Sequence, residues 1–214
     1  SVISASNAVA FGTRSNARAE NSMAFGSNSR TNPGATNAIA FGLNATASGT
    51  NASSYGSFAS ANGANSYAIG TRAQSSGVNS FAKGSAAVAN GTNVSAEGTS
   101  AEALGTNTQS SGVAAYSSGS NSQASGTSAR AIGFNAVAQG TRAVAEGRNV
   151  IAIGTGAQAF GYNSNVVAIG TNAIGDGTNV VAIGSNAVGE GLSVIAIGED
   201  SKANTNYSTA IGYQ

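Results

Sequence analysis

A glycine recurs at every seventh position from Gly42 to Gly161 without a miss. Such spacing gives every heptad the same structural part, so the repeat decides the fold before local propensity is consulted. Within each heptad the third, fifth and seventh residues are small, as in Ala45-Thr46-Ala47-Ser48-Gly49 and Ala143-Val144-Ala145-Glu146-Gly147. Small residues at every second position are a strand signal, whereas a heptad coiled coil needs large apolar residues at two of its positions. The closing glycine is followed by Thr-Asn, Ser-Asn or Thr-Arg. That is turn chemistry, because glycine accepts positive φ and Asn or Ser can bond its own backbone. Each heptad reads as one short strand and one tight turn.

A second period lies on the first. In one set of alternate heptads the fourth and sixth places are large and apolar: Val9/Phe11, Met23/Phe25, Ile39/Phe41, Tyr67/Ile69, Ile151/Ile153, Val167/Ile169, Val181/Ile183 and Ile195/Ile197. In the heptads between, those places hold mostly polar pairs such as Thr46/Ser48, Ser60/Asn62, Gln74/Ser76 and Lys202/Asn204. The structural unit is therefore a coil of fourteen residues with two short strands. Repeated in line, such coils make a β-solenoid in which each hydrogen-bonds to the next. The small positions should face each other across a thin interior, because only small side chains fit where two sheets lie closer than ~10 Å. The fourth and sixth places then point outward, polar on one strand and apolar on the other. Exposed apolar patches beyond roughly a few hundred Å² normally mark an interface, so the chain is expected to self-associate along this stripe.

About fifteen coils at ~4.8 Å each give a rod of order ~70 Å, and residues 1–214 are expected to form one repetitive domain. An Ala/Ser/Gly interior buries little apolar area per residue, so a lone protomer should be weakly stable. The 30 glycines and 8% charged residues would suit a disordered chain, but the strict register argues for order. Nine basic and eight acidic residues are scattered, leaving no basic stripe for nucleic acid. No apolar run is long enough to span a membrane and no signal peptide is visible; for a surface protein, the export and anchoring segments would be expected outside this chain. The absence of cysteine and histidine removes most nucleophile–base pairs and the usual zinc sites. Glu97, Glu102, Glu146, Asp176 and Glu190 are spread over several coils and read as solvated surface charges. Neither an enzyme nor a cofactor or metal site is expected.

The pattern has irregularities. Ala19 stands where a glycine is expected, and the Gly26–Gly42 interval is sixteen residues, with the extra pair near Pro33-Gly34. Pro-Gly predicts a turn bulging from the edge. A second two-residue insertion falls around Asn163-Ser164-Asn165. Gly156, Gly175 and Gly189 replace other residues of the repeat and are expected to be close-packing variants. Acceptor patterns for glycosylation, such as those at Asn51 and Asn93, arise by chance in a chain rich in Asn, Ser and Thr.

The segments Asn21-Ser22-Met23-Ala24-Phe25-Gly26, Asn65-Ser66-Tyr67-Ala68-Ile69-Gly70, Asn149-Val150-Ile151-Ala152-Ile153-Gly154, Asn165-Val166-Val167-Ala168-Ile169-Gly170 and Asn179-Val180-Val181-Ala182-Ile183-Gly184 resemble the Asn-Ser-Val-Ala-Ile-Gly motif of the YadA-like heads of trimeric autotransporter adhesins. None reads that motif in full. The resemblance implies an all-β, left-handed parallel β-roll in a homotrimer, with Phe11, Phe25, Phe41, Ile69, Ile153, Ile169, Ile183 and Ile197 on the trimer axis. It implies display on a bacterial surface above a coiled-coil stalk, outer-membrane anchoring outside this chain, and no membrane contact by this segment. It also implies attachment to matrix proteins such as collagen, fibronectin or laminin. Contact should be broad and shallow, on the polar strands and turns, because the narrow interior leaves no room for a deep pocket.

Two other readings belong beside this one. A lattice- or ice-binding solenoid would use evenly spaced threonines, and Thr50, Thr71, Thr92, Thr99, Thr106, Thr127 and Thr141 sit in the predicted turns. They are interrupted by residues such as Ala64, Val78, Val113 and Phe134. A structural spacer would need no ligand-binding residue at all. One stretch of the apolar register also departs from it: Phe81/Lys83, Ser95/Glu97, Gln109/Ser111, Gln123/Ser125 and Val137/Gln139 are largely polar. Either this row keeps its face and forms a polar belt, or the packing rotates to present Leu104, Tyr116 and Ile132 instead.

Overall fold

The computed structural model describes residues 1–161 and 164–213. The described residues contain strands and turns and no helix, and two compact units divide the chain, Ser1–Asn107 and Thr108–Gln214. Each is a parallel β-solenoid, as the fourteen-residue period requires.

In the first unit one strand set runs Val9–Phe11, Met23–Phe25, Ile39–Phe41, Ser53–Tyr55, Tyr67–Ile69, Phe81–Lys83 and Ser95–Glu97, each pairing in parallel with the next. The other runs Asn16–Ala17, Arg30–Thr31, Thr46–Ala47, Ser60–Ala61, Gln74–Ser75, Val88–Thr92 and Glu102–Thr106 in the same way. Asn32, Pro33, Gly34 and Ala35 form a turn, with the Ala35 N–H donating to the Asn32 carbonyl at 3.1 Å and Gly34 at φ 83°. Pro at the second place and a positive-φ glycine at the third are the marks of a type II turn. The two extra residues are absorbed there, and Met23 still lies opposite Ile39 and Arg30 opposite Thr46.

In the second unit the corresponding sets are Gln109–Ser111, Gln123–Ser125, Val137–Gln139, Val150–Ile153 and Val166–Ile169, and Tyr116–Ser120, Arg130–Phe134, Val144–Arg148 and Gln158–Gly161. Beyond them the expectation of two short strands per coil gives way. Ile174–Ile183 and Val188–Ile197 are continuous strands of ten residues whose pairing runs through the bend, Thr178 lying opposite Leu192. Of the second insertion, Asn163 lies outside the described residues; Val150 pairs with Val166 across it.

The interior is the small-residue core that the repeat implies. Third- and fifth-place residues such as Ala45, Ala47, Ala143 and Ala145 are fully buried. Larger side chains enter where space is made for them: Val166 and Val180 are also fully buried, and a Cβ added at Gly175 or Gly189 would meet their Cγ1 atoms at 2.8 and 2.9 Å. Gly175 and Gly189 are thus close-packing residues, as expected. Gly156 packs closely too, an added Cβ lying 2.5 Å from Asn172 Oδ1, and at φ 68° it occupies the left-handed turn position held by Arg142 and Asn172 in the neighbouring coils.

Several buried hydroxyls find partners inside this narrow core. Ser75 and Ser80 share a hydrogen bond at 2.6 Å, and the Ser80 hydroxyl also donates to the Gly77 carbonyl at 2.7 Å. Ser66, Thr108 and Ser122 carry buried hydroxyls with no hydrogen-bond partner.

Most turns hold two left-handed residues, the glycine and a second one; after Gly49, Gly63 and Gly77 only the second is left-handed. The glycine of the motif heptads has φ near +130°, as at Gly26 and Gly42 (130° and 137°), where a Cβ at Gly26 would lie 2.5 Å from the Gly42 carbonyl oxygen. The second residue after the glycine is also left-handed, most often Asn, because its short polar side chain tolerates this region better than other L-residues. Stacked coil on coil, these asparagines bond to one another. Asn37 donates to Asn51, Asn51 to Asn65, Asn65 to Asn79, Asn79 to Asn93 and Asn93 to Asn107, at 3.0–3.1 Å. Asn121, Asn135 and Asn149 repeat the ladder in the second unit.

Candidate interaction surface

Because successive Cβ atoms in a strand alternate sides, burying the third- and fifth-place residues forces the fourth and sixth outward. In the first unit this sets Phe11, Phe25 and Phe41 in one row, in parallel register. Phe11 and Phe25 stack with centroids 4.8 Å apart, Phe25 and Phe41 at 4.9 Å. Phe11 is 63% exposed. Val9, Met23 and Ile39 flank the rings, and the row edges a shallow apolar depression of about 120 Å³. Ile69 continues the same row, half-buried, through Tyr55.

Tyr55 is the member that the pattern reading missed. It packs at 6.4 Å from Phe41, but its strand partner at the fourth place is Ser53, so the coil lacked the paired apolar signature. A search on the sixth place alone would have found it.

In the second unit Ile153, Ile169, Ile183 and Ile197 form the corresponding row, each opposite the next. Ile183 and Ile197 are exposed, and Ile153 and Ile169 are half-buried. The eight residues read from the sequence therefore gather into two rows, one in each unit.

The polar stretch keeps the face of its neighbours. In the first unit Ile69 lies opposite Lys83 and Lys83 opposite Glu97. In the second, Gln109, Gln123, Val137 and Ile151 are in line, as are Ser111, Ser125, Gln139 and Ile153. The register within each unit thus carries the polar pairs on the same side as the apolar ones. Gln109, Ser111, Gln123 and Ser125 border a depression of about 280 Å³.

Neither a cluster of His, Cys, Asp and Glu able to hold a metal nor a helix long and apolar enough to cross a membrane is present among the described residues. Among the described residues Arg130 and Glu146 form an ion pair at 2.9 Å. Thr50, Thr71, Thr99, Thr127 and Thr141 lie in turns as expected, but Thr92 and Thr106 end strands and stand opposite each other. Asn51 and Asn93, two of the chance glycosylation matches, use their side chains in the ladder. The outside of the second unit also carries an open groove of about 410 Å³.

The family model of the YadA head domain repeat matches residues 4–29, 34–59, 61–85, 124–149, 131–157, 145–164, 167–187 and 195–214, together well over half the chain. The chain belongs to the YadA head family. Its matched segments run through both units and contain all eight residues of the two rows. No curated protein is similar enough to count as a relative of this YadA-type head. Among solved structures, it is similar to the collagen-binding domain of the Yersinia adhesin YadA, with 29% identity over 71% of this chain and 68% of that one and a TM-score of 0.35.

Proposed function

We propose that this chain is an adhesin head displayed at the bacterial cell surface, working as a homotrimer that attaches to an extracellular-matrix protein such as collagen, fibronectin or laminin. Membership of the YadA head family carries this reading. The surface gives it physical support: Phe11, Phe25 and Phe41 form an exposed apolar row, which water-facing proteins normally cover. Three copies meeting along the two rows would bury them. The polar strand set and the turns would stay outside, repeated three times over, so a weak contact gains from avidity.

The test is a binding screen of the purified head against immobilised collagen, fibronectin and laminin, with its mass measured in solution. Saturable binding to one of them by a trimeric head is the expected result. A trimeric head that binds none of the three would leave a spacer as the better description.

A further inference from the structure

In the second strand set the glycine that closes each heptad is flanked by one residue on either side. Over most coils the flanks are small: Ser48 and Thr50 beside Gly49, Ser76 and Val78 beside Gly77, Ser118 and Ser120 beside Gly119. In the second unit this changes. Gly133 lies between Ile132 and Phe134, and Gly147 between Glu146 and Arg148, while Phe160 precedes Gly161.

Parallel register stacks these flanks into walls. Ile132, Glu146 and Phe160 stand opposite one another on one side, and Phe134 and Arg148 on the other. The glycine column has no side chains, so the walls bound the open groove of about 410 Å³. Its floor must stay bare. Gly147 has φ 131°, and a Cβ there would run into the Gly161 carbonyl of the next coil.

The charges in the groove are unequal in standing. Glu146 is held by Arg130 at 2.9 Å. Arg148 is exposed, with its guanidinium 5.6 Å from the centroid of the Phe134 ring, and no carboxylate among the described residues pairs with it. The groove therefore offers apolar walls from Ile132, Phe134 and Phe160 and one uncompensated positive charge at its rim. Three coils span about 10 Å, the reach of roughly three residues of extended chain. A short strand fits that length.

We propose that this groove docks an extended peptide segment of a partner protein, one that carries an apolar side chain next to a carboxylate. The apolar side chain lies over the glycine floor between the walls, and the carboxylate meets the Arg148 guanidinium, already oriented by its stacking on Phe134. The site is separate from the two apolar rows, which lie on the other strand set. It does not depend on whether the head binds a matrix protein.

The probe is an array of capped hexapeptides, each with one of Leu, Val, Phe or Pro beside one of Asp, Glu, Gln or Lys. The purified head should be captured by acidic members in preference to their Lys counterparts, by about 2- to 5-fold, as expected for one rim charge. Phe134→Ser should abolish capture, and Arg148→Glu should reverse the preference toward Lys. Both side chains are exposed, and unchanged circular dichroism would verify that the variants fold. Absence of capture, equal capture of Glu and Lys peptides, or a preference that survives Arg148→Glu overturns the proposal.

Discussion

Phe25 and Phe41 stack on the outside of the protomer, with ring centroids 4.9 Å apart and planes 3° from parallel. They sit at the same place in adjacent coils, so the ring spacing follows the strand spacing. Parallel rings in a column leave an even apolar surface in place of knobs and holes. Such a face is suited to another face built on the same repeat.

The glycine column should be the most sensitive feature of the fold. Gly26→Ala places a Cβ 2.5 Å from the Gly42 carbonyl oxygen in a backbone at φ 130°, so backbone must shift in two coils. Gly34, at φ 83° in the edge turn, has nothing within 4 Å of an added Cβ. Gly34→Ala should therefore cost only the left-handed penalty of about 1–2 kcal/mol, whereas Gly26→Ala should give little folded protein. Thermal unfolding and soluble yield of the two variants check the contrast.

Two buried serines should respond in opposite directions. Ser66 has a buried hydroxyl without a partner, so Ser66→Ala removes a desolvated polar group and should stabilise the head by about 1 kcal/mol. Ser80 is bonded to Ser75 and to the Gly77 carbonyl, and Ser80→Ala leaves the Ser75 hydroxyl with fewer partners. A loss of about 1 kcal/mol is expected. Denaturant midpoints of both variants measure the pair.

Phe58 holds the left-handed turn position at φ 61°, where neighbouring coils have Asn44 and Arg72. Its ring is about half exposed. Phe58→Asn keeps the backbone and replaces the residue by one that tolerates the conformation, so a gain of about 0.5–1 kcal/mol is expected. A fall in melting temperature would mean that the exposed ring is packed in the functional assembly.

Lys83 and Glu97 are exposed in the protomer and lie opposite each other in adjacent strands on the face of the apolar row. The Ser95 hydroxyl donates to Glu97 Oε1 at 3.3 Å. In the proposed trimer the two residues form a belt of alternating charge, in which Glu97→Ala strands three ammonium groups without a partner. An unpaired buried charge is worse than none, so the Lys83→Ala/Glu97→Ala double variant should melt above the Glu97→Ala single. A double variant no more stable than that single would remove the belt.

The period, the glycine positions and the outward rows were legible in the sequence because each rests on a strict spacing and a two-residue alternation. The Pro33-Gly34 turn was legible for the same local reason. Beyond Tyr55, three things were not. Fusion of the two strands at Ile174–Ile183 depends on pairing between coils, and it appears where Thr178 meets Leu192. The asparagine ladder is a contact between residues fourteen apart, invisible to a reading of single turns. The groove beside Gly147 arises because Ile132, Phe134, Arg148 and Phe160 come together only in register; singly they look like scattered substitutions in a polar strand set.

Sedimentation equilibrium of the head at micromolar concentration, beside Ile183→Asp, tests the central claim most directly. Covered rows predict a species of three times the protomer mass. They also predict dissociation in Ile183→Asp, where three carboxylates would crowd a poorly solvated seam. A folded monomer in the unsubstituted head, or a trimer indifferent to Ile183→Asp, would contradict the account.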